Sequence, residues 1–309
     1  MVHDDNPANP GIIIGVDIGG TKIRAGAVTS AGNLYGNPFT VPTGGNDSKE
    51  TITGRIIGSI NTVLENNSLS AKDIVGIGLG VTGPIDIKNG TILDCPQLPT
   101  MHDFPLKKMI AAQFGCHVSM NNDANALVLG ESIWGAGNGY PVVLGFTLGT
   151  GLGCAIVINK KLHLGATEMS GEIWVSPYRD GTIEDYVSGR GISMMYRKLT
   201  NKEKSAVEIA DLARKRDPHA IATWSEFGQS LAFAVAWSVN IIDPDIIVLG
   251  GSIANAMDLF NDPMQAFLRK YICPAPAEKT RVVKTILGDD AGFMGSAALV
   301  RQENQHQPA

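Results

Sequence analysis

Cysteine is scarce in this 309-residue chain. The four present, Cys95, Cys116, Cys154 and Cys273, are too scattered for a zinc spacing or a disulfide scaffold. Three lie in or beside apolar segments, which suits buried thiols in a reducing cytoplasm. An excess of positive charge is missing too: 25 Lys and Arg against 30 Asp and Glu give a net charge of −5. That sign argues against nucleic acid as a partner. Aromatic residues make up only 6% of the chain while glycine is plentiful, otherwise an ordinary globular composition. The opening MVHDDNPANP has no apolar core, which excludes a signal peptide. It and the tail RQENQHQPA are expected to be disordered. One uncharged run, Tyr140 to Ile158, approaches the length of a membrane span. Gly145, Gly149, Gly151, Gly153 and Pro141 divide it into two strands, so a buried hairpin and no membrane partner are expected.

What the chain does have is two glycine-rich turns about 130 residues apart, IIIGVDIGGTKIRAGAV from Ile12 and VVLGFTLGTGLGCAIVI from Val142. In each, a Val/Ile/Leu run enters a turn of Gly and Thr and a second apolar run leaves it. Glycines let backbone N–H groups approach an anion, and Thr hydroxyls add donors. Neither turn is a P-loop or a dinucleotide fingerprint, since a strand rather than a helix follows. Either alone is more often a simple hairpin turn. Their duplication suggests a pair of clamps for one polyphosphate. Asp17, at the end of the first strand, stands where a Mg²⁺ would need a carboxylate or a water-holder.

The pattern around each turn is α/β. Thr51 to Leu64 has helical apolar spacing, Ile74 to Val81 is a buried strand ending in Thr82-Gly83-Pro84, Phe104 to Phe114 is a helix, and Val118 to Met120 a strand. A helix starts at Asn122 or Asp123. After the second turn come helices over 205–216 and 226–242, a strand at 246–249 and a last helix at 291–301. Two similarly wound lobes with a cleft between them are expected, residues 1–121 with the final helix 291–303 packing back, and residues 122–290.

Asn121-Asn122-Asp123-Ala124-Asn125 joins a strand to a helix, where binding residues collect in α/β folds. One acid would serve as a cap. Three Asn and one Asp exceed that need, and Asp123 is placed to take a proton from an alcohol beside Asn122. Glu172 and Glu184 are isolated acids next to apolar residues, suited to accepting sugar hydroxyls or simply solvated in loops. Gly250-Gly251 ends a buried strand, as a turn or as a seat for a flat nucleoside. Lys22 and Arg24 alternate along their strand and are expected to face solvent or the cleft rim, without a catalytic role.

These segments together resemble sugar kinases of the ROK family (repressor, open reading frame, kinase), within the actin-like ATPase superfamily. The matching residues are Asp17-Ile-Gly-Gly-Thr-Lys22, Asn122-Asp123-Ala-Asn125, Leu148-Gly-Thr-Gly-Leu-Gly153, Gly171-Glu172, Asp243-Pro-Asp-Ile-Ile-Val-Leu-Gly-Gly251 and Asp290-Ala-Gly-Phe-Met-Gly-Ser-Ala-Ala298. The resemblance implies two actin-like (ribonuclease H-like) lobes and ATP-dependent phosphorylation of a hexose, usually at O6. It implies Asp123 as general base and Asn122, Glu172, Glu184, Gln97 and Gly83 around the sugar. Asp17, Gly19, Gly20, Thr21, Gly149, Thr150 and Gly151 would surround the phosphates and Mg²⁺, which Asp17 would hold through water. Gly250 and Gly251 would face the nucleoside. A cytoplasmic homodimer is the family habit.

The chain departs from the family at two places. The family continues Glu-x-Gly-His into a cysteine-rich zinc loop, whereas Glu172 is followed by Ile173-Trp174-Val175 and a short Ser176-Pro-Tyr-Arg-Asp-Gly181. The His and the cysteines are lost together, so no structural zinc is expected. Gln97 also stands where many members have Asn. These changes fall on sugar recognition, leaving an N-acylhexosamine or another hexose as alternatives to glucose, with Trp174 or Tyr178 supplying stacking. A silent sugar sensor would lack Asp123 or the turns, yet all are present. A repressor would need a helix-turn-helix of about 60–80 residues ahead of the first strand.

Overall fold

The computed structural model describes residues 11–274 and 279–304. The lead MVHDDNPANP and the last five residues of the tail lie outside them. The described residues divide into two compact units. One comprises residues 11–139, 160–162 and 286–304, the other Tyr140–Asn159 with His163–Thr285.

The first unit is built on β1 (Ile12–Ile18), β2 (Lys22–Thr29), β3 (Leu34–Pro42), α1 (Lys49–Asn66), β4 (Ile74–Val81), α2 (Leu106–Phe114), β5 (Val118–Asn122) and α3 (Asp123–Trp134). The sheet runs β3-β2-β1-β4-β5. β1 and β2 form the expected antiparallel hairpin, and β4 and β5 add in parallel. Helix α1 is started by Ser48, whose side chain accepts from the Thr51 N–H, and it buries Ile52, Ile56, Ile60 and Val63 on one stripe. Each such side chain stabilises by roughly 1.5–3 kcal/mol.

In the second unit, β6 (Val142–Leu148) and β7 (Leu152–Ile158) form the other hairpin. Then follow α4 (Ile183–Tyr186), α5 (Gly189–Thr200), α6 (Ala206–Arg214), α7 (Pro218–Ile242), β8 (Ile246–Gly250), α8 (Met257–Tyr271) and β9 (Val282–Lys284). β8 pairs in parallel with β6 and β9 with β8, repeating the pattern of the first sheet. In the core between α7 and α8, Trp224 stacks on Phe260 and Phe227 meets both edge-to-face. Helix α7 begins eight residues before the expected start at 226. Asp217 caps it and Pro218 takes the first position, where its missing N–H costs nothing.

The last helix, α9 (Ala291–Asn304), belongs to the first unit and runs on through the start of the expected disordered tail. It lies directly on the sheet because β1 and β4 carry Gly15 and Gly78 where it crosses. A Cβ on either would stand 1.8 or 1.7 Å from the backbone oxygen of Phe293 or Ser296. Helix α3 packs beside α9, with Gly130 against Gly295. That packing puts α3 in the first unit, and the division falls at 139/140 instead of 121/122. No helix among the described residues is long and apolar enough to cross a membrane.

Candidate active site

The parallel register brings the polar residues of the first unit to one end of its sheet. Asp17 aligns with Gly80 and Gly80 with Asn121; Ile18 aligns with Val81 and Val81 with Asn122. The carboxyl ends of parallel strands are where α/β sheets bind ligands. With strands about 4.8 Å apart, Asp17 and Asn122 are roughly 10 Å from each other across β4.

Asn122 is the cap of α3. Its Oδ1 accepts from the N–H groups of Ala124 and Asn125 at 2.8 and 3.2 Å. The acid at 123 is therefore not required to start the helix, and it occupies the first helical position with Oδ1 accepting the Ala124 N–H at 2.8 Å. Asn125 sits buried below and donates to Asn121 at 2.9 Å. Gly83 leaves the Asn122 amide uncovered, since a Cβ there would stand 3.3 Å from Nδ2. Gln97 is exposed and packs on the first turn, its Cβ 2.7 Å from where a Gly20 Cβ would be. Buried Cys95 donates to its Oε1 at 3.4 Å. Burial pushes the Cys95 thiol up, and the nearby Asp123 charge adds to the shift.

Asp17 has the most unusual environment. Burial raises its carboxyl from 3.8 to about 6, against the opposing pull of Lys22 and Arg24. Gly292, in the first turn of α9, lies directly against it, where any Cβ would come within 2.4 Å of Oδ2. The turn that follows is closed by Gly19 N–H to Lys22 oxygen at 3.1 Å. Thr21 is exposed. Arg24, expected at solvent or at the cleft rim, is held within its own unit. It is half-buried, paired with Asp290 at 2.5 Å and lying over the Phe293 ring, because α9 covers that side of β2.

The second unit gathers its residues around its own turn. The Gly149 N–H donates to the Gly151 oxygen at 3.0 Å, and the Gly189 N–H at the start of α5 donates to the Gly149 oxygen at 2.8 Å. Thr150 is exposed at the tip. Glu184 is not an isolated loop acid. It lies on α4, its Oε2 accepts the Leu152 N–H at 2.9 Å, and its Oε1 pairs with Arg190 at 2.6 Å. Gly250 ends β8, and Gly251, at φ +82°, packs where a Cβ would stand 2.4 Å from the Leu148 oxygen. Glu172 is exposed and accepts the indole N–H of Trp174. Its charge also adds to burial in raising the Cys154 thiol to about 12. Val175, at the family's His position, is 55% exposed. Reading the sequence assigned no contact to Gly189 or Arg190, and placed Gly292 only as part of the family segment 290–298, since no local pattern gives their partners.

Comparison with known proteins matches the ROK family over residues 13–303. The chain belongs to the ROK family. Among relatives of this ROK chain, a glucokinase from Halalkalibacterium halodurans is 31% identical, over 94% of the chain and 95% of the relative. An N-acetyl-D-glucosamine kinase from Haemophilus influenzae is 30% identical, over 92% and 98%. A ROK glucokinase from Streptomyces griseus, solved in complex with glucose and AMPPNP, superposes with a TM-score of 0.81 at 29% identity. It covers 94% of the chain and is itself covered completely. The fold is accordingly the mixed α/β, two-lobe fold of actin-like ATPases.

Proposed function

We propose that this chain, a sugar kinase of the ROK family, transfers the γ-phosphoryl group of ATP to O6 of glucose. The observation that carries the reading is the division of labour at the start of α3. Asn122 supplies the cap, which leaves Asp123 as a second, acidic acceptor at the strand-to-helix junction, in the first helical position. Similarity to glucokinases along nearly the whole chain supports the substrate class.

Asp123 is the general base on the attacking hydroxyl. Phosphoryl transfer proceeds through a loose transition state, so positioning dominates and the base takes its proton late. The Asn122 Nδ2 group donates to a neighbouring sugar oxygen, while Gly83 and Gln97 shape the pocket beside it. Glu172 accepts another sugar hydroxyl. Glu184 acts differently from a simple sugar ligand: it holds the second turn through the Leu152 N–H, and Arg190 neutralises it there. The two turns, Gly19-Gly20-Thr21 and Gly149-Thr150-Gly151, present N–H and hydroxyl donors to phosphate oxygens, and Gly250-Gly251 gives the nucleoside room.

The oxygen donors at the first turn fit Mg²⁺, a hard cation that keeps several waters and takes few protein ligands. Asp17 would hold such a water and Thr21 flanks it. The metal's charge would neutralise the phosphates when bound. Asp17 is half-buried with its carboxyl raised to about 6, which suits a site whose second charge arrives with the nucleotide.

The deciding experiment is ADP release from MgATP over glucose, mannose, fructose, allose, N-acetylglucosamine and N-acetylmannosamine, with Asp123→Asn as the blank. Saturable, Asp123-dependent turnover with glucose at the highest kcat/KM is expected, and NMR of the product should show the phosphate on O6. Preference for an N-acylhexosamine would replace the substrate. Sugar binding without turnover on any member would replace the activity by sensing.

A further inference from the structure

Trp174 is an exposed aromatic with no packing reason to be one. It is 39% exposed, on the short 3₁₀ turn Ile173–Val175. Its indole N–H donates to Oε2 of Glu172, itself exposed. Among the described residues Oε1 of Glu172 has no protein donor. The pair stands on a rigid base. Gly171, at φ +93°, is pressed on β7 so closely that a Cβ would come within 2.3 Å of the Cys154 oxygen. Two further backbone bonds hold the turn, Ile173 N–H to Gly171 at 2.6 Å and Ser176 N–H to Ile173 at 3.0 Å. The segment continues into a two-residue-stranded hairpin, Pro177–Tyr178 with Gly181–Thr182. There Arg179 lies over the rings of Tyr178 and Tyr186, 5.2 and 4.8 Å from their centroids, and pairs with Glu226 at 2.5 Å.

We propose that Trp174 determines which hexose this kinase accepts; the proposal rests on the hexokinase reading above. A carboxylate can accept from two neighbouring hydroxyls, one on each oxygen. With Oε2 occupied by the indole, Glu172 accepts from one sugar hydroxyl through Oε1. The indole then does two things. Its N–H fixes the orientation of that carboxylate, and its exposed ring forms an apolar wall beside the accepted hydroxyl. A ring face of this kind suits the C–H side of a pyranose. The same wall would crowd a bulky acyl group on the adjacent carbon. Trp174 is a positioning and specificity residue and makes no contact with the transferred phosphoryl group.

Two variants test this, each compared with wild type by steady-state kinetics and intrinsic fluorescence. Trp174→Phe keeps the wall and removes the N–H donor. Without that donor the Glu172 carboxylate must be ordered by the sugar on binding, at a cost of up to one charge-assisted hydrogen bond, about tenfold in affinity. KM for glucose should rise about tenfold, with kcat within about threefold, KM for ATP unchanged and Tm unchanged. Trp174→Gly removes the wall as well. The kcat/KM ratio of N-acetylglucosamine to glucose should rise at least tenfold over wild type. Glucose should quench the wild-type fluorescence, and the quench should be absent from Trp174→Phe. Wild-type turnover on glucose with both variants retaining its KM and sugar ratio would overturn the proposal and leave the hexokinase reading standing. Absence of turnover on every hexose would overturn the hexokinase reading. In that event a glucose quench that survives in Trp174→Phe, or no quench in wild type, overturns the assignment of Trp174 also.

Discussion

Two aspartates in the first unit are set apart by their surroundings. Asp123 heads α3 in a place where Asn122 already caps the helix. Asp123→Asn should therefore fold normally and lower kcat by about 10²- to 10⁴-fold, with a much smaller change in KM for the sugar. Turnover close to wild type in that variant would remove Asp123 from the base role. Asp17 is governed by burial, which raises its carboxyl from 3.8 to about 6. Between those values the folded state holds more protons than the unfolded state, so stability of the ligand-free protein falls as pH rises from about 4 to 6. The loss is on the order of 3 kcal/mol and is complete above pH 6. Asp17→Asn should raise Tm by several degrees at pH 7.5 and leave it near wild type at pH 4, while activity falls. Equal melting of the two proteins at pH 7.5 would show that Asp17 is not held at such a cost.

At the scale of elements, close backbone approach and cation–ring packing hold the second unit's segments. Gly251 sits at φ +82° with its absent Cβ aimed at the Leu148 oxygen, so the end of β8 and the end of β6 meet backbone to backbone. Gly251→Ala combines left-handed strain with a clash, and stability should fall by about 1–3 kcal/mol. If the proposed nucleoside seat is correct, KM for ATP rises more than KM for glucose. The 177–182 hairpin depends on Arg179, stacked on two tyrosines and paired with Glu226. That ion pair is half exposed and contributes little by itself. Planar stacking is the larger contribution, so Arg179→Lys should fail to restore what Arg179→Ala loses, about 1 kcal/mol in chemical denaturation. Full rescue by lysine would point to charge alone.

For the molecule as a whole, ligands that bind only the folded state raise its melting temperature. Glucose at a hundredfold excess over its Kd should add about 2.7 kcal/mol. Asp123→Asn should keep that shift while losing turnover, which separates binding from chemistry in one pair of melts. Chelation with EDTA should stop turnover and leave the Tm of the ligand-free protein unchanged, because the expected metal comes with the nucleotide and no zinc is expected. A large fall in Tm on chelation would reveal a structural metal.

The sequence by itself determined the two hairpins, the α1 stripe and the strand-to-helix junction at Asn122-Asp123, because each is a local pattern. Alternating or unbroken apolar runs, a 3.6-residue period and Gly-Thr turns need no distant partner to be read. The family motifs likewise lie in contiguous stretches. Tertiary structure alone decided the rest. Gly15 and Gly78 look like weak points in their strands until α9 is laid over them. Arg24 looks solvent-facing until Asp290 and Phe293 arrive from more than 260 residues away. Glu184 looks like a loop acid until β7 places the Leu152 N–H against it. The boundary between units moved from 121/122 to 139/140 for the same reason, since α3 takes its place from α9. In every case the deciding contact joins residues far apart in the chain, and no local period or propensity encodes which distant backbone will come to lie against them.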